Sequence, residues 1–453
     1  MGVIKMKNKF KLVLKICLSV LLISLITSCT NTVSFYDDLP DNDDGRQVSN
    51  DYKTLPVKWE MPVLDNPIII DLDKGDNPSR KIRERGRDVL ILGKTTGIYD
   101  GQIHLQSGGP HDYALGDCVV LGGKYTGRVA LRDFGGTVYI EGVHIDVGGD
   151  EEDAFVASGN RNEHNPAHVI LQNCIAEGIQ GHKDRTHGDM YQPQGIVESL
   201  RVYNFTGYSG YQGFMIDDRN MEGSYIDPDI GVIMEKMSLR YQNHHSHASC
   251  LLFFDPSQER PFPITLIDCN IDYKIVPGPG RNSGELVGNR WIWHDNFNFQ
   301  GDGYVTRVDK DHPVFVKRDE IGVNYYHTIR LEAEECDSNS GVEVEQNGIT
   351  NISDNDWIKF TNVYLGARGY QFRVYYHNEN ESSQGSRIEL RSGSTTGPML
   401  AAVTTASNIT GEIRTADFQA DIDGTQDLYI CFDKGAGSGE NIGNIDWIEI
   451  IIR

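Results

Sequence analysis

Basic residues are scarce: 42 Lys and Arg stand against 65 Asp and Glu, a net charge of −23 over 453 residues. So acidic a chain is a poor partner for nucleic acid, whose binding proteins cluster positive charge on the phosphates. It does not exclude an anionic sugar, provided basic groups gather locally. Long helical patterns are scarce too, whereas Gly (48) and Tyr (21) are abundant. Of the eight cysteines, none forms a CxxC or His–Cys spacing, which argues against structural zinc. Cys118, Cys174, Cys250 and Cys269 sit in apolar strand patterns and read as buried thiols. Cys336 and Cys431 are the two free to pair outside the cytoplasm. The one long apolar run, LVLKICLSVLLISLI, is shorter than the ~20 residues a transmembrane anchor needs.

That run follows MGVIKMKNKFK and ends in ITSC, the layout of a signal peptide. ITSC resembles a bacterial lipobox, which implies lipidation of Cys29, removal of residues 1–28 and attachment to the outer membrane. The attached chain would face the cell surface or the periplasm. Cleavage removes five lysines and no acid, taking the charge to about −28. Residues 29–56, with SFYDDLPDNDDGRQ, read as an acidic tether.

Residues 57–326 read as short strands broken by Gly, Asn and Asp. Five segments align: VYIEGV at Val138, VILQNC at Val169, LRVYNF at Leu200, VIMEKM at Val232 and ITLIDC at Ile264, at spacings of 31, 31, 32 and 32 residues. Positions one, three and six are apolar, and position five is Gly, Asn, Asn, Lys or Asp. A two-residue alternation that meets a turn residue at a fixed place is one coil of a solenoid, here read as a right-handed parallel β-helix. Asn173 and Asn204 should stack, and Cys174 and Cys269 should point inward. A β-sandwich is the alternative, but its strands rarely keep one residue class at one offset over five repeats.

The polar insertions GHKDRTHGD, GYSGYQG with DDRN, and NHHSHAS follow the same strand in successive coils and should line one side. Residues 327–453 read as a β-sandwich of jelly-roll type. The xEAEx opening, Asn355–Asp356–Trp357, the TGPxL of 396–400 and the closing Asn444–Ile445–Asp446–Trp447 together resemble the family 6 carbohydrate-binding modules. That resemblance implies a structural calcium on Glu332, Glu334 and Asp446. Asn351 stands where the family carries a Tyr, and DKGAGSGENIG has no Trp, so ring stacking on sugar is lost there.

A β-helix with such a tail resembles polysaccharide lyases, and in layout the ulvan-oligosaccharide dehydratases of marine bacteria. The implied activity is carbon–oxygen elimination across C4–C5 of uronic acids in an anionic algal glycan, by a monomer that needs no catalytic cofactor. Such chemistry wants a cation on the carboxylate, a base for the C5 proton and an acid for the leaving oxygen. Arg185 or Lys183 supplies the first, His187 the second, Tyr191 the third, and Asp189 would orient His187. Tyr208, Tyr211, Arg219, His245 and His247 are candidates to bind the sugar. Inverting hydrolysis through Asp217 and Asp218 is an alternative, although the NTD, GHG and RIK signatures of the polygalacturonases are absent. A non-catalytic glycan-binding lipoprotein is another.

Overall fold

The computed structural model describes residues 52–453 except for 109–112, 183–185, 217–230, 242–250, 255–263, 274–283, 288–289, 294–296, 301–303, 308–313, 379–384, 407–408 and 436–441. Among the described residues there is no α-helix, and no helix is long and apolar enough to cross a membrane.

The repeat becomes a ladder of parallel strands. Val138 pairs with Val169, Val169 with Leu200, Leu200 with Val232, and Val232 with Ile264, so the first positions of all five segments lie in one row. Three earlier strands, Ile68–Asp71, Val89–Leu92 and Cys118–Leu121, and a later one, Phe297–Gln300, extend the row. Their spacing is less regular, but PIIIDL, DVLIL and CVVLGG are legible in the sequence as a cap and earlier coils ahead of the five aligned segments. Positions one and three, such as Val169, Leu171, Leu200 and Val202, are fully buried in one core. Cys174 and Cys269 join it at position six, and Cys118 lies there as a free thiol.

Position five has a conformational cause. Gly142, Asn173, Asn204, Lys236 and Asp268 all adopt left-handed backbone, with φ between 50° and 69°. There Gly costs nothing and Asn or Asp costs little. Asn204 Nδ2 donates to Asn173 Oδ1 (2.6 Å), and Asn173 Nδ2 donates to the Tyr325 hydroxyl and the Pro56 carbonyl, both at 3.1 Å. Asn204→Ala removes the link and places a Cβ in strained backbone, so it should cost about 2 kcal/mol. A urea unfolding midpoint checks this.

A second, shorter parallel sheet runs Phe155–Ala157, Val129–Leu131, Ile103–Ser107, Ser79–Ile82. Its row continues through isolated bridges from Phe155 to Tyr191 and from Tyr191 to Phe214. Phe214–Ile216 then pairs with Leu252–Phe254. Ile103, Val129, Phe155, Tyr191 and Phe214 face the shared core.

The last residues of the expected tether belong to the fold. Lys53 exchanges backbone hydrogen bonds with Asn324 and Tyr326, and Leu55 packs against Val316, Ile321 and Tyr325. The Trp59 indole lies edge-on to Tyr203, and Lys58 pairs with Glu235.

From His327 onward the pairing turns antiparallel in two facing sheets around a second core. His327–Glu332 and Gly369–Asn378 flank Asn444–Ile452, and Trp357–Tyr364 and Arg387–Ser392 flank Thr425–Asp433. The junction with the parallel part is a buried polar knot. Glu141, fully buried, accepts from the Tyr139 hydroxyl (2.5 Å), the Tyr325 hydroxyl (2.7 Å) and His327 Nδ1 (2.7 Å). Arg453 reaches Asp73 at 2.8 Å. Cys336 and Cys431 are both free, so the expected pairing is absent: the Cys431 thiol points to the Thr395 carbonyl instead.

Candidate functional site

The described parts of the first two insertions do stack. Ile179 is in register with Ser209, and Ser209 with Tyr241, so the segments after them leave the long sheet at one edge. His187 is exposed there, its ring 5.5 Å from that of Tyr211. Gly188 packs so closely on the turn before Phe155 that an added Cβ would lie 3.0 Å from the Glu152 carbonyl.

Several sequence-based expectations need correction. Tyr191 is in the core: it is fully buried and its hydroxyl donates to the Ala157 carbonyl (3.1 Å). Burial pushes its phenol far above the ordinary value, and it has no route to a leaving oxygen. Its place in the bridge between Phe155 and Phe214 explains this, because the strand alternation turns position 191 inward. Tyr211 is 2% exposed and buttresses His187 rather than meeting solvent. Tyr208 lies elsewhere, under the Arg318 guanidinium at 5.2 Å. Arg318 and His144 both bond to Glu177; burial alone would raise that carboxyl, but these hydrogen bonds outweigh it and hold it at about 2. Lys183, Arg185, Arg219, His245 and His247, with Asp217 and Asp218, lie outside the described residues.

Asp189 is fully buried, and neither carboxylate oxygen has a hydrogen-bond partner among the described residues. It does not reach His187 as an orienting acceptor. Its neighbour is Asp153, whose Oδ1 accepts from the Asp189 backbone N–H (3.1 Å) and whose Oδ2 lies 3.4 Å from Gln194 Nε2. Burial, and then the Asp153 charge, push Asp189 well above the carboxylate range. Asp153 is pushed up to about 6, by burial first; Glu152 adds to this, while the Asp189 N–H, Arg128 and Arg132 oppose it. Asp189 therefore favours its neutral form, while Asp153 loses its proton as pH rises through about 6.

This pair adjoins a face that the sequence did not reveal. On the outer side of the short sheet, Gln102, His104 and Gln106 alternate along one strand, and Arg128 and Arg132 bracket the next. Ala130 and Val156 lie between them in register and are fully buried. Arg128 Nε donates to Gln102 (3.1 Å) and contacts Glu152 at 3.3 Å. His104 Nε2, Arg132 Nε and the Ser158 hydroxyl are buried atoms without a partner among the described residues. Such orphans call for an explanation, and they also occur away from this face, at Arg414 and Arg453 among others. The signal in the sequence was QIHLQ and RVALR, strand alternation with polar residues on one side, but the strands are too short to stand out.

In the C-terminal segment the three expected calcium ligands fall near one another. Glu332 accepts from Arg330 (2.7 Å) and Asp446 from His377 (3.0 Å), while Glu334 Oε2 is buried without a partner. Among the described residues no group of three His, Cys, Asp or Glu has the geometry of a metal site. Glu334 is raised by burial and then by Glu332, Glu335 and Asp446, so these carboxyls lie within electrostatic reach of one another.

Comparison with known proteins bears on this segment. Residues 332–451 match the sequence model of the Carbohydrate binding module (family 6). Similar solved structures include a β-1,3-glucan-binding family 6 module from Bacillus halodurans (26% identity, 28% of this chain and 96% of that one, TM-score 0.24). A family 6 module from Clostridium cellulolyticum in complex with xylose is another (22%, 26% and 94%, 0.24). A family 43 arabinoxylan arabinofuranohydrolase from Bacillus subtilis matches over 27% of its own length (24% identity, 28% of this chain, 0.24). The C-terminal segment, residues 332–451, is a carbohydrate-binding module of family 6.

Proposed function

We propose that the chain is a carbohydrate carbon–oxygen lyase that eliminates across C4–C5 of uronic acid residues in an anionic, algal-type glycan. Residues 57–326 would be its right-handed parallel β-helix, and the family 6 module would hold it on polysaccharide. The observation that carries this reading is the buried Asp153 carboxyl, which accepts from the Asp189 N–H two residues along the chain from the exposed His187 and adjoins Glu152, the partner of Arg128. Elimination needs an acid, a base and a cation, and Asp153, His187 and Arg128 are the residues proposed for them.

In the proposed step an arginine, Arg128 with Arg185, neutralises the uronate carboxylate and makes the C5 proton removable. His187 takes that proton. The C5–H electron pair forms the C4–C5 double bond, the C4–O bond breaks, and Asp153 protonates the departing oxygen. Asp153 thus takes the role first expected of Tyr191. Inverting hydrolysis would instead need a second carboxylate placed to activate water, whereas Asp153, raised to about 6, offers its acid form below that pH.

The test is product mass from a panel of uronate polymers and their oligosaccharides. A lyase gives fragments whose masses sum to the substrate; a dehydratase gives the substrate less one water. Fragments that together gain one water would mean hydrolysis and defeat the reading. No change on any substrate would leave a glycan-binding protein.

Two further parts of the reading concern the chain's setting. Lipidation at Cys29 would attach a monomer to the outer membrane, facing the surface or the periplasm. Glu332, Glu334 and Asp446 would hold a structural calcium. Removing calcium with a chelator should lower the melting temperature by a few degrees, since a ligand that binds only the folded state stabilises it. Glu334→Gln should abolish that calcium response.

A further inference from the structure

A concentration of positive charge remains that the elimination step does not use. Lys81 is in register with Gln106 across the short sheet, so Lys81, Gln106 and Arg132 form one row, with His104 two residues before Gln106 on the same strand. Lys81 is exposed and has no carboxylate partner among the described residues. The same holds for its neighbours Arg80 and Arg83. Asp133 stands next to Arg132, but its carboxylate is occupied by the Ser107 backbone N–H and hydroxyl (both 3.2 Å) and by Asn160 (3.4 Å). His104 is held below its ordinary value, first by burial, then by Arg132, Arg128 and Lys81. Asp133 and Asp153 offset part of the Arg132 charge, which leaves Lys81, Arg80 and Arg83 as the exposed cations of this edge.

Resting on the proposed elimination, we infer that Lys81, His104 and Arg132 form a second anion site, which takes the carboxylate or sulfate ester of the sugar beside the reacting uronate. The Lys81 ammonium and the Arg132 guanidinium supply charged donors that such an oxyanion would accept from, with the unpartnered His104 Nε2 and Arg132 Nε buried beside them. Parallel strands lie about 4.8 Å apart, so the strands carrying Lys81 and Ser158 span about 14 Å, room for more than one sugar ring. The substrate class is accordingly a glycan charged on adjacent units, and an isolated uronate in a neutral chain would leave this row empty.

The experiment is calorimetric titration of the full mature chain with three tetrasaccharides. These are an oligogalacturonate (carboxylate only), a carrageenan fragment (sulfate only) and a neutral β-1,3-glucan fragment, which reports on the C-terminal module. Lys81→Gln and Arg132→Gln should each weaken at least one anionic ligand about tenfold, the loss of one charge-assisted contact, and leave the neutral one unchanged. Lys81→Arg should keep the affinity, and because Lys81 is exposed its variants will fold. Whichever anionic ligand responds identifies the group recognised. Unchanged affinity for both anions in both variants, or an equal loss for the neutral ligand, would overturn the site. If the variants weaken anion binding while no substrate ever gives an unsaturated product, the elimination reading fails and the anion site stands.

Discussion

Asp153→Asn should lower the rate of elimination by 10²–10⁴-fold, the usual worth of a positioned acid. The substitution keeps the size of the side chain and an acceptor for the Asp189 N–H, so a rate loss with an intact melting curve points to the proton. The pH dependence gives a second readout. The carboxyl is raised to about 6 in the folded chain, so its acid form is present below that pH and lost above it. The wild-type rate should therefore fall as pH rises through about 6. Stability moves the same way: the folded state binds the proton more tightly than the unfolded chain, whose carboxyl titrates near 4. The wild type thus loses stability between roughly pH 4 and 6 as pH rises. Asp153→Asn should flatten that slope. An unchanged rate in the variant would remove Asp153 from the chemistry.

The second large effect is structural. Glu141→Ala should destabilise the chain by about 3–5 kcal/mol, the scale for breaking a buried charged network. Three donors, the hydroxyls of Tyr139 and Tyr325 and the His327 ring, would lose their common acceptor. Each buried donor left unpaired costs about 1–3 kcal/mol. Tyr325 also holds Asn173, so the loss should spread to the ladder that ends at Asn204. Glu141→Gln, which keeps an acceptor, should cost less. Chemical unfolding followed by far-ultraviolet circular dichroism measures both, and equal stability of all three proteins would contradict the account of the junction.

How much of this was legible in the sequence depends on regularity. The five repeats at 31 or 32 residues give the correct register of every pair among them, because position five must adopt left-handed backbone and positions one and three must face the core. The marks at Asp356–Trp357 and Asp446–Trp447 likewise find the segment that matches the family 6 module. The candidate site was less legible. The insertion GHKDRTHGD is legible as polar, but which side chains in and after it face outward depends on the bridge at Tyr191, a long-range pairing with no local mark. His104, Arg128, Arg132 and Asp153 were missed because their strands have only three to five residues and the spacing between them is uneven. Charge in this chain also misleads: the overall −23 conceals a basic row that exists only once the strands are stacked.

The central claim is that a C5 proton is removed and a C4 oxygen expelled. The most direct measurement is the near-ultraviolet absorbance of a 4,5-unsaturated uronate, recorded while the mature chain acts on uronate oligosaccharides. The account predicts a steady rise that His187→Ala abolishes and that slows as pH passes about 6. New reducing ends appearing without any rise in absorbance would contradict it and place the chain among the hydrolases.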